Sequence, residues 1–163
     1  MNLEELKKKM DEEHYIYDDT LSTVLYVALQ LGRPLLIEGA AGVGKTEVAK
    51  VMAAALDREL VRLQCYEGLD ESKALYEWNY QKQLLSIQVN MNAQDREALT
   101  RSLFSDEYLL ERPLLKSIRS EKPVVLLIDE IDKADLEFPN DLLWELDRME
   151  FHIPETGRTV TAK

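Results

Sequence analysis

The spacing of apolar side chains divides the chain into alternating and helical stretches. From residue 20 to residue 31, Leu21, Val24, Leu25, Ala28 and Leu31 recur at helical spacing, which predicts a helix with one buried stripe. Asp18, Asp19 and Thr20 offer N-terminal caps, and Gly32 and Pro34 stop it. Residues 35–37 then form a short unbroken apolar run, as expected of a parallel strand covered on both faces. Val48, Ala49, Met52, Ala53 and Leu56 predict a second helix, so the order is strand, glycine-rich loop, helix. Val61, Leu63 and Cys65 alternate with Arg62 and Gln64, which predicts another strand, and Pro123 precedes the wholly apolar residues 124–128, which predict a third.

Residues 66–122 admit two readings. Tyr76, Trp78 and Tyr80 alternate with polar residues, as do Leu85, Ile87, Val89 and Met91, which suits a β-hairpin. No turn dipeptide joins the two runs, which leaves helices open instead. Residues 93–104 and 106–118 have helical spacing, with Pro113 bending or breaking the second. Leu142, Leu143, Leu146 and Met149 predict a helix beginning near Pro139, a residue tolerated in a first turn. A hairpin is expected where residues 151–153 and 158–160 flank the sequence PETG. No internal repeat, low-complexity tract or linker interrupts the chain, which reads as one domain.

Composition narrows the class. At 163 residues, with 45% hydrophobic and 31% charged side chains, the chain can bury a sizeable core. A net charge of −11 repels nucleic-acid backbones, and no basic patch overrides it. Residues 7–9 are lysines, but acids flank them, so they read as a solvated mixed-charge helix. One cysteine, Cys65, rules out an intrachain disulfide and fits a reducing compartment. Without a signal-like N-terminus or a membrane-length apolar run, a cytoplasmic protein is expected. Cys65, His14 and His152 are expected to be ordinary structural or surface residues.

Two segments carry candidate chemistry. Residues 39–46, GAAGVGKT, fit the pattern GxxxxGK[ST] in full. A polyphosphate brings several negative charges against the backbone, so the loop must curl with its amides inward, and side chains at Gly39, Gly42 and Gly44 are expected to obstruct it. The helix that follows adds unpaired amides and a positive dipole end. The predicted nucleotide contacts are Gly39, Ala40, Ala41, Gly42, Val43, Gly44, Lys45, Thr46 and Glu47. Lys45 places an ammonium on the β and γ phosphates, and Thr46 gives a hydroxyl to Mg²⁺. The second segment, residues 124–132 (VVLLIDEID), delivers Asp129 to the carboxyl end of an apolar strand, the edge where open α/β sheets bind ligands. Asp129 is expected to hold Mg²⁺ with Thr46, and Glu130 to orient and deprotonate an attacking water. A GTPase is disfavoured, because no DxxG element follows the loop and no NKxD element appears.

GAAGVGKT and LLIDEIDKAD resemble the Walker A and Walker B motifs of AAA+ ATPases. The phrases GRPLLIEGAAGVGKTEVAK, YEWNYQKQLL and HIPETGRTVTAK resemble the MoxR branch, including its CoxD-like maturation factors. The resemblance implies an α/β P-loop NTPase fold, a three-layer sandwich with a parallel sheet flanked by helices. It implies an ATP- and Mg²⁺-dependent hydrolase with Lys45 and Glu130 as catalytic residues. It further implies a homo-oligomeric, usually hexameric, remodelling chaperone acting on a protein client such as a metalloenzyme. Tyr15 and Tyr17 would lie near adenine, with ordinary aromatic packing as the other reading, and the 151–160 hairpin would face a pore or client. By the same resemblance, residues 1–163 read as the N-terminal part of the nucleotide-binding domain, either truncated or rearranged. The sensor strand, arginine finger and helical lid would follow Lys163, since neither Arg148 nor Arg158 matches the finger. Slow or absent turnover by this chain alone is therefore expected, an ATP-binding switch or assembly module being the alternative to a motor.

Overall fold

The computed structural model describes residues 1–90 and 96–162. Asn2 starts α1 (Leu3–Glu12) with a complete capping box, its side chain accepting from the Glu5 amide while the Glu5 carboxylate accepts from the Asn2 amide. Helix α2 (Asp19–Leu31) is capped by Asp18, which accepts from the Leu21 amide at 2.7 Å, and ends at Gly32 with φ 60°. Helix α3 (Lys45–Ala55) starts directly from the glycine loop. Leu6 and Met10 of α1, Leu25 of α2 and Val48, Val51 and Met52 of α3 bury together as one small core. Residues 7–9 do more than face solvent. Lys7 pairs with Asp19 at 2.8 Å, and Lys9 Nζ donates to the Ala55 carbonyl at 2.5 Å, tying α1 to both neighbours.

The remaining elements follow in order: β1 (Leu60–Gln64), α4 (Glu71–Leu75), β2 (Tyr76–Trp78), α5 (Tyr80–Val89), α6 (Arg96–Leu103), β3 (Leu109–Glu111), α7 (Pro113–Arg119) and β4 (Val125–Asp129). A 3-10 turn (Ile131–Lys133) then leads to α8 (Phe138–Asp141), α9 (Leu143–Arg148), β5 (Glu150–Ile153) and β6 (Arg158–Thr161). Strands β1 and β4 are parallel, with Leu60 opposite Val125 and Gln64 opposite Asp129. Helices α3 and α7 both pack on this pair. The larger core gathers Leu63 of β1 and Cys65 just past it, Leu114 and Leu115 of α7, Phe138 of α8 and Phe151 of β5.

Several expectations are met closely and others are not; the helix expected from near Pro139 is split into α8 and α9, with Met149 just beyond as a left-handed cap. The apolar run at residues 35–37 forms no strand: it has no hydrogen-bonded neighbour among the described residues, and Leu36 is 68% exposed. An apolar run becomes a parallel strand only where another backbone lies beside it, and the parallel pairing described here joins β1 to β4 alone. The hairpin reading of residues 76–91 also fails. Strand β2 pairs antiparallel with the distant β3, Trp78 opposite Leu109, while Asn79 caps α5 by accepting from the Lys82 amide at 3.0 Å. Residues 106–118 are not one helix either. Pro113 takes the first position of α7, where its missing N–H costs nothing, and β3 precedes it. Met91 and residues 93–95 lie outside the described residues.

The hairpin of β5 and β6 forms as expected, with Ile153 opposite Arg158. Its turn end is anchored rather than free: Phe151 and Ile153 enter the larger core, Arg158 lies 3.5 Å from Asp106, and Glu155 in the turn accepts from the Tyr76 hydroxyl at 2.7 Å. No described helix is long and apolar enough to cross a membrane.

Candidate functional site

The carboxyl ends of β1 and β4 stop at the same level, beside the first turn of α3. This follows from the parallel register, and it brings together residues from three separate stretches of sequence. The loop at residues 39–46 turns through left-handed glycines, with φ 80° at Gly42 and 84° at Gly44, which is also the residue from which α3 starts. The amides of the first helical residues have no acceptor inside the helix, so Lys45 and Thr46 present donors toward the loop. A Cβ built at Gly42 or Gly44 meets nothing within 4 Å, and one at Gly39 makes only ordinary contact with Val43 and Lys45. The glycines are therefore demanded by backbone conformation, whereas the protein itself leaves the concave space open. Ala40, Ala41 and Val43 line an exposed stretch of the same loop.

Lys45 Nζ donates to the Gly39 and Ala40 carbonyls, each at 2.6 Å, so its ammonium lies folded across the loop mouth. Thr46 Oγ1 lies 3.4 and 3.5 Å from the two carboxylate oxygens of Asp129, a residue 83 positions away. An ordinary hydroxyl hydrogen bond is about 2.7–2.8 Å, so these atoms face each other without closing. Neighbouring ligands on an octahedral Mg²⁺ with bonds of about 2.1 Å stand roughly 3 Å apart. The pair thus has the oxygen chemistry and near spacing that Mg²⁺ takes. No cluster of three or more His, Cys, Asp or Glu suited to a metal occurs among the described residues.

Glu130 sits just past β4 with φ 55° and ψ 43°, a left-handed conformation costly for a side chain and one of four such non-glycine residues described. Its Oε2 accepts from Gln64 Nε2 at 2.8 Å and from Lys133 Nζ at 2.6 Å. The bond to Glu130, with the nearby acids, raises the pKa of Lys133 above the ordinary lysine range. Burial, followed by the charges of Asp129, Asp132 and Glu130, pushes the Cys65 thiol up, so it stays protonated and inert. The Glu47 amide donates to the Gly44 carbonyl at 3.0 Å, and its carboxylate pairs with Lys50 at 2.7 Å. Tyr15 and Tyr17 are half-buried against the helical core, and the Tyr17 hydroxyl donates to the Lys7 carbonyl at 3.2 Å.

Two site residues escaped the sequence reading. Arg62 and Gln64 occupy the exposed face of β1, and Arg62 Nη2 donates to Gln64 Oε1 and to Asp129 Oδ2, both at 2.6 Å. Their alternation with Val61 and Leu63 placed them on one face. Only the register against β4, with Gln64 opposite Asp129, shows that this face meets the acids.

A glycine loop at a helix start, a threonine facing a strand-end aspartate and a glutamate beside it have the arrangement of a P-loop motif. Residues 34–163 match the AAA domain (dynein-related subfamily), and the chain belongs to that family. It is 28% identical over 152 residues to a Lon protease of Halothermothrix orenii, covering 86% of this chain and 16% of that protein. A Lon protease of Clostridium beijerinckii is 35% identical over 80 residues, covering 45% of this chain and 10% of that protein. An uncharacterized protein of Staphylococcus saprophyticus is 26% identical over 146 residues, covering 89% of this chain and 48% of that protein. The chain therefore spans half or less of the length of each of these relatives. No solved structure matches at comparable significance.

Proposed function

We propose that this chain binds Mg·ATP through residues 39–46 and Asp129, and that the whole protein hydrolyses it to remodel a protein client. The approach of Thr46 to Asp129 is what carries this reading, since a binding loop and a metal-binding acid converge from opposite halves of the sequence. Thr46 and Asp129 would hold Mg²⁺, which when bound neutralises charge on the β and γ phosphates. Lys45 exchanges its two carbonyl acceptors for phosphate oxygens. Glu130 orients the attacking water and accepts its proton, for which its carboxylate must first shed a contact with Gln64 or Lys133.

The quoted phrases that resemble the MoxR branch support a hexameric chaperone, with metalloenzyme assembly as its field and a three-layer sandwich as its complete fold. Residues 1–163 would be the nucleotide-binding part of such a subunit, working in a cytoplasmic setting. Proteolysis is not carried over from the Lon relatives, whose aligned share is small. One observation favours the alternative, a nucleotide-binding switch without turnover: Glu130 already carries two donors.

A pair of variants separates the two. In the full-length protein, Glu130→Gln is expected to keep nucleotide binding and abolish phosphate release, while Asp129→Asn abolishes the Mg²⁺ dependence of binding. Unaltered phosphate release in Glu130→Gln removes the assigned base. A wild-type protein that binds ATP without releasing phosphate, alone or with a client, leaves the switch.

A further inference from the structure

The carboxylate that Mg²⁺ needs is already matched by a cation. Arg62 Nη2 lies 2.6 Å from Asp129 Oδ2, and the same nitrogen donates to Gln64 Oε1 at 2.6 Å. The partners are unequal. Asp129 is fixed at a strand end with its side chain 15% exposed, whereas the Arg62 side chain is 53% exposed. The acid is the anchored member of the pair and the guanidinium the one free to swing into solvent. An ion between Thr46 and Asp129 would bring a double positive charge against that guanidinium with little intervening water, so the two cations compete for one carboxylate.

We propose that Arg62 is a built-in counter-ion latch on the magnesium site, holding Asp129 in the nucleotide-free chain and giving way when Mg²⁺ enters with a nucleotide. The proposal rests on the nucleotide reading above. It also links the two acids: Arg62 holds the Gln64 carbonyl oxygen, and the Gln64 amide nitrogen holds Glu130 at 2.8 Å. Arg62 acts through Asp129 and Gln64 and is a positioning residue.

The test is calorimetric titration of ADP at stepped free Mg²⁺, comparing wild type with Arg62→Ala and Arg62→Lys. The Mg²⁺ concentration giving half of the gain in ADP affinity is expected to fall about three- to tenfold in Arg62→Ala, the scale of a charge-assisted, half-exposed ion pair. Arg62→Lys should lie between, because an ammonium keeps the charge but is more strongly hydrated and lacks the planar guanidinium. An unmoved or higher midpoint overturns the latch. So does a loss of ADP affinity at saturating Mg²⁺, which would make Arg62 a phosphate ligand instead. Failure of wild type to take up ADP at any Mg²⁺ concentration sinks the nucleotide reading itself, whereas wild-type uptake with an unmoved midpoint sinks only the latch. Thermal melts without ligand check folding, and Arg62→Gln carries the same test if Arg62→Ala unfolds.

Discussion

Replacing Gly44 by alanine separates what the loop needs for folding from what it needs for its ligand. Gly44 has φ 84° and ψ 19°, and an added Cβ meets nothing within 4 Å. No protein atom opposes the methyl group, so the folding cost is backbone strain alone, about 1–2 kcal/mol, less roughly 0.4–1 kcal/mol from a stiffer unfolded chain. A net loss of about 1 kcal/mol in a domain of this size lowers Tm by roughly 2–4 °C. If the open space is where phosphate oxygens sit, the same methyl group obstructs them, and ADP affinity should fall about tenfold or more, at least another 1.4 kcal/mol. Gly32 supplies the control: it has φ 60°, also nothing within 4 Å, and lies outside the loop as the cap of α2. Thermal melts followed by circular dichroism, with ADP calorimetry on the same samples, measure both effects. Gly32→Ala should match the small Tm loss and bind ADP normally. If Gly44→Ala also binds normally, the open concavity is not phosphate space and the site assignment fails.

Other consequences follow from particular contacts. Lys45→Ala removes an ammonium with two 2.6 Å loop contacts and should weaken ADP binding about 10- to 100-fold, with little change in melting because the group is solvent-facing. Leu115→Ala empties a fully buried position in the larger core and should lower unfolding free energy by about 2–5 kcal/mol in a denaturant titration. Burial pushes the Glu155 carboxyl up, but the Tyr76 hydroxyl and a backbone donor outweigh it and hold it below the ordinary glutamate range. Its stabilising effect is therefore present above the unfolded value of about 4.3 and is lost as pH falls through the lower folded value. Wild type should melt above Glu155→Gln at pH 7, and the gap should close in strong acid; a gap that widens there contradicts the assignment.

What could be read from sequence was what neighbouring residues decide among themselves. Asp18 and Gly32 bracket α2 through local capping geometry, and PETG supplies the turn that joins β5 to β6. The candidate site at residues 39–46, Asp129 and Glu130 stood out for the same reason, since each motif packs its polar groups into a few positions. What resisted reading depends on partners far along the chain. Trp78 pairs with Leu109, a choice made by the core and not by the alternation of Tyr76, Trp78 and Tyr80. Leu85, Ile87 and Val89 mimic a strand, yet they lie on α5 and remain exposed, so no burial selected between the two periods. Residues 35–37 have the composition of a buried strand and, among the described residues, no paired strand beside them. Arg62 and Gln64 acquire a role only through the register of β1 against β4.

The most direct measurement is the heat of mixing ADP with the folded chain in the presence and absence of Mg²⁺. Saturable one-to-one uptake, strengthened by the ion and lost in Lys45→Ala, is the result expected from the approach of Thr46 to Asp129. Flat titrations with chain that melts cooperatively would contradict the account at its root.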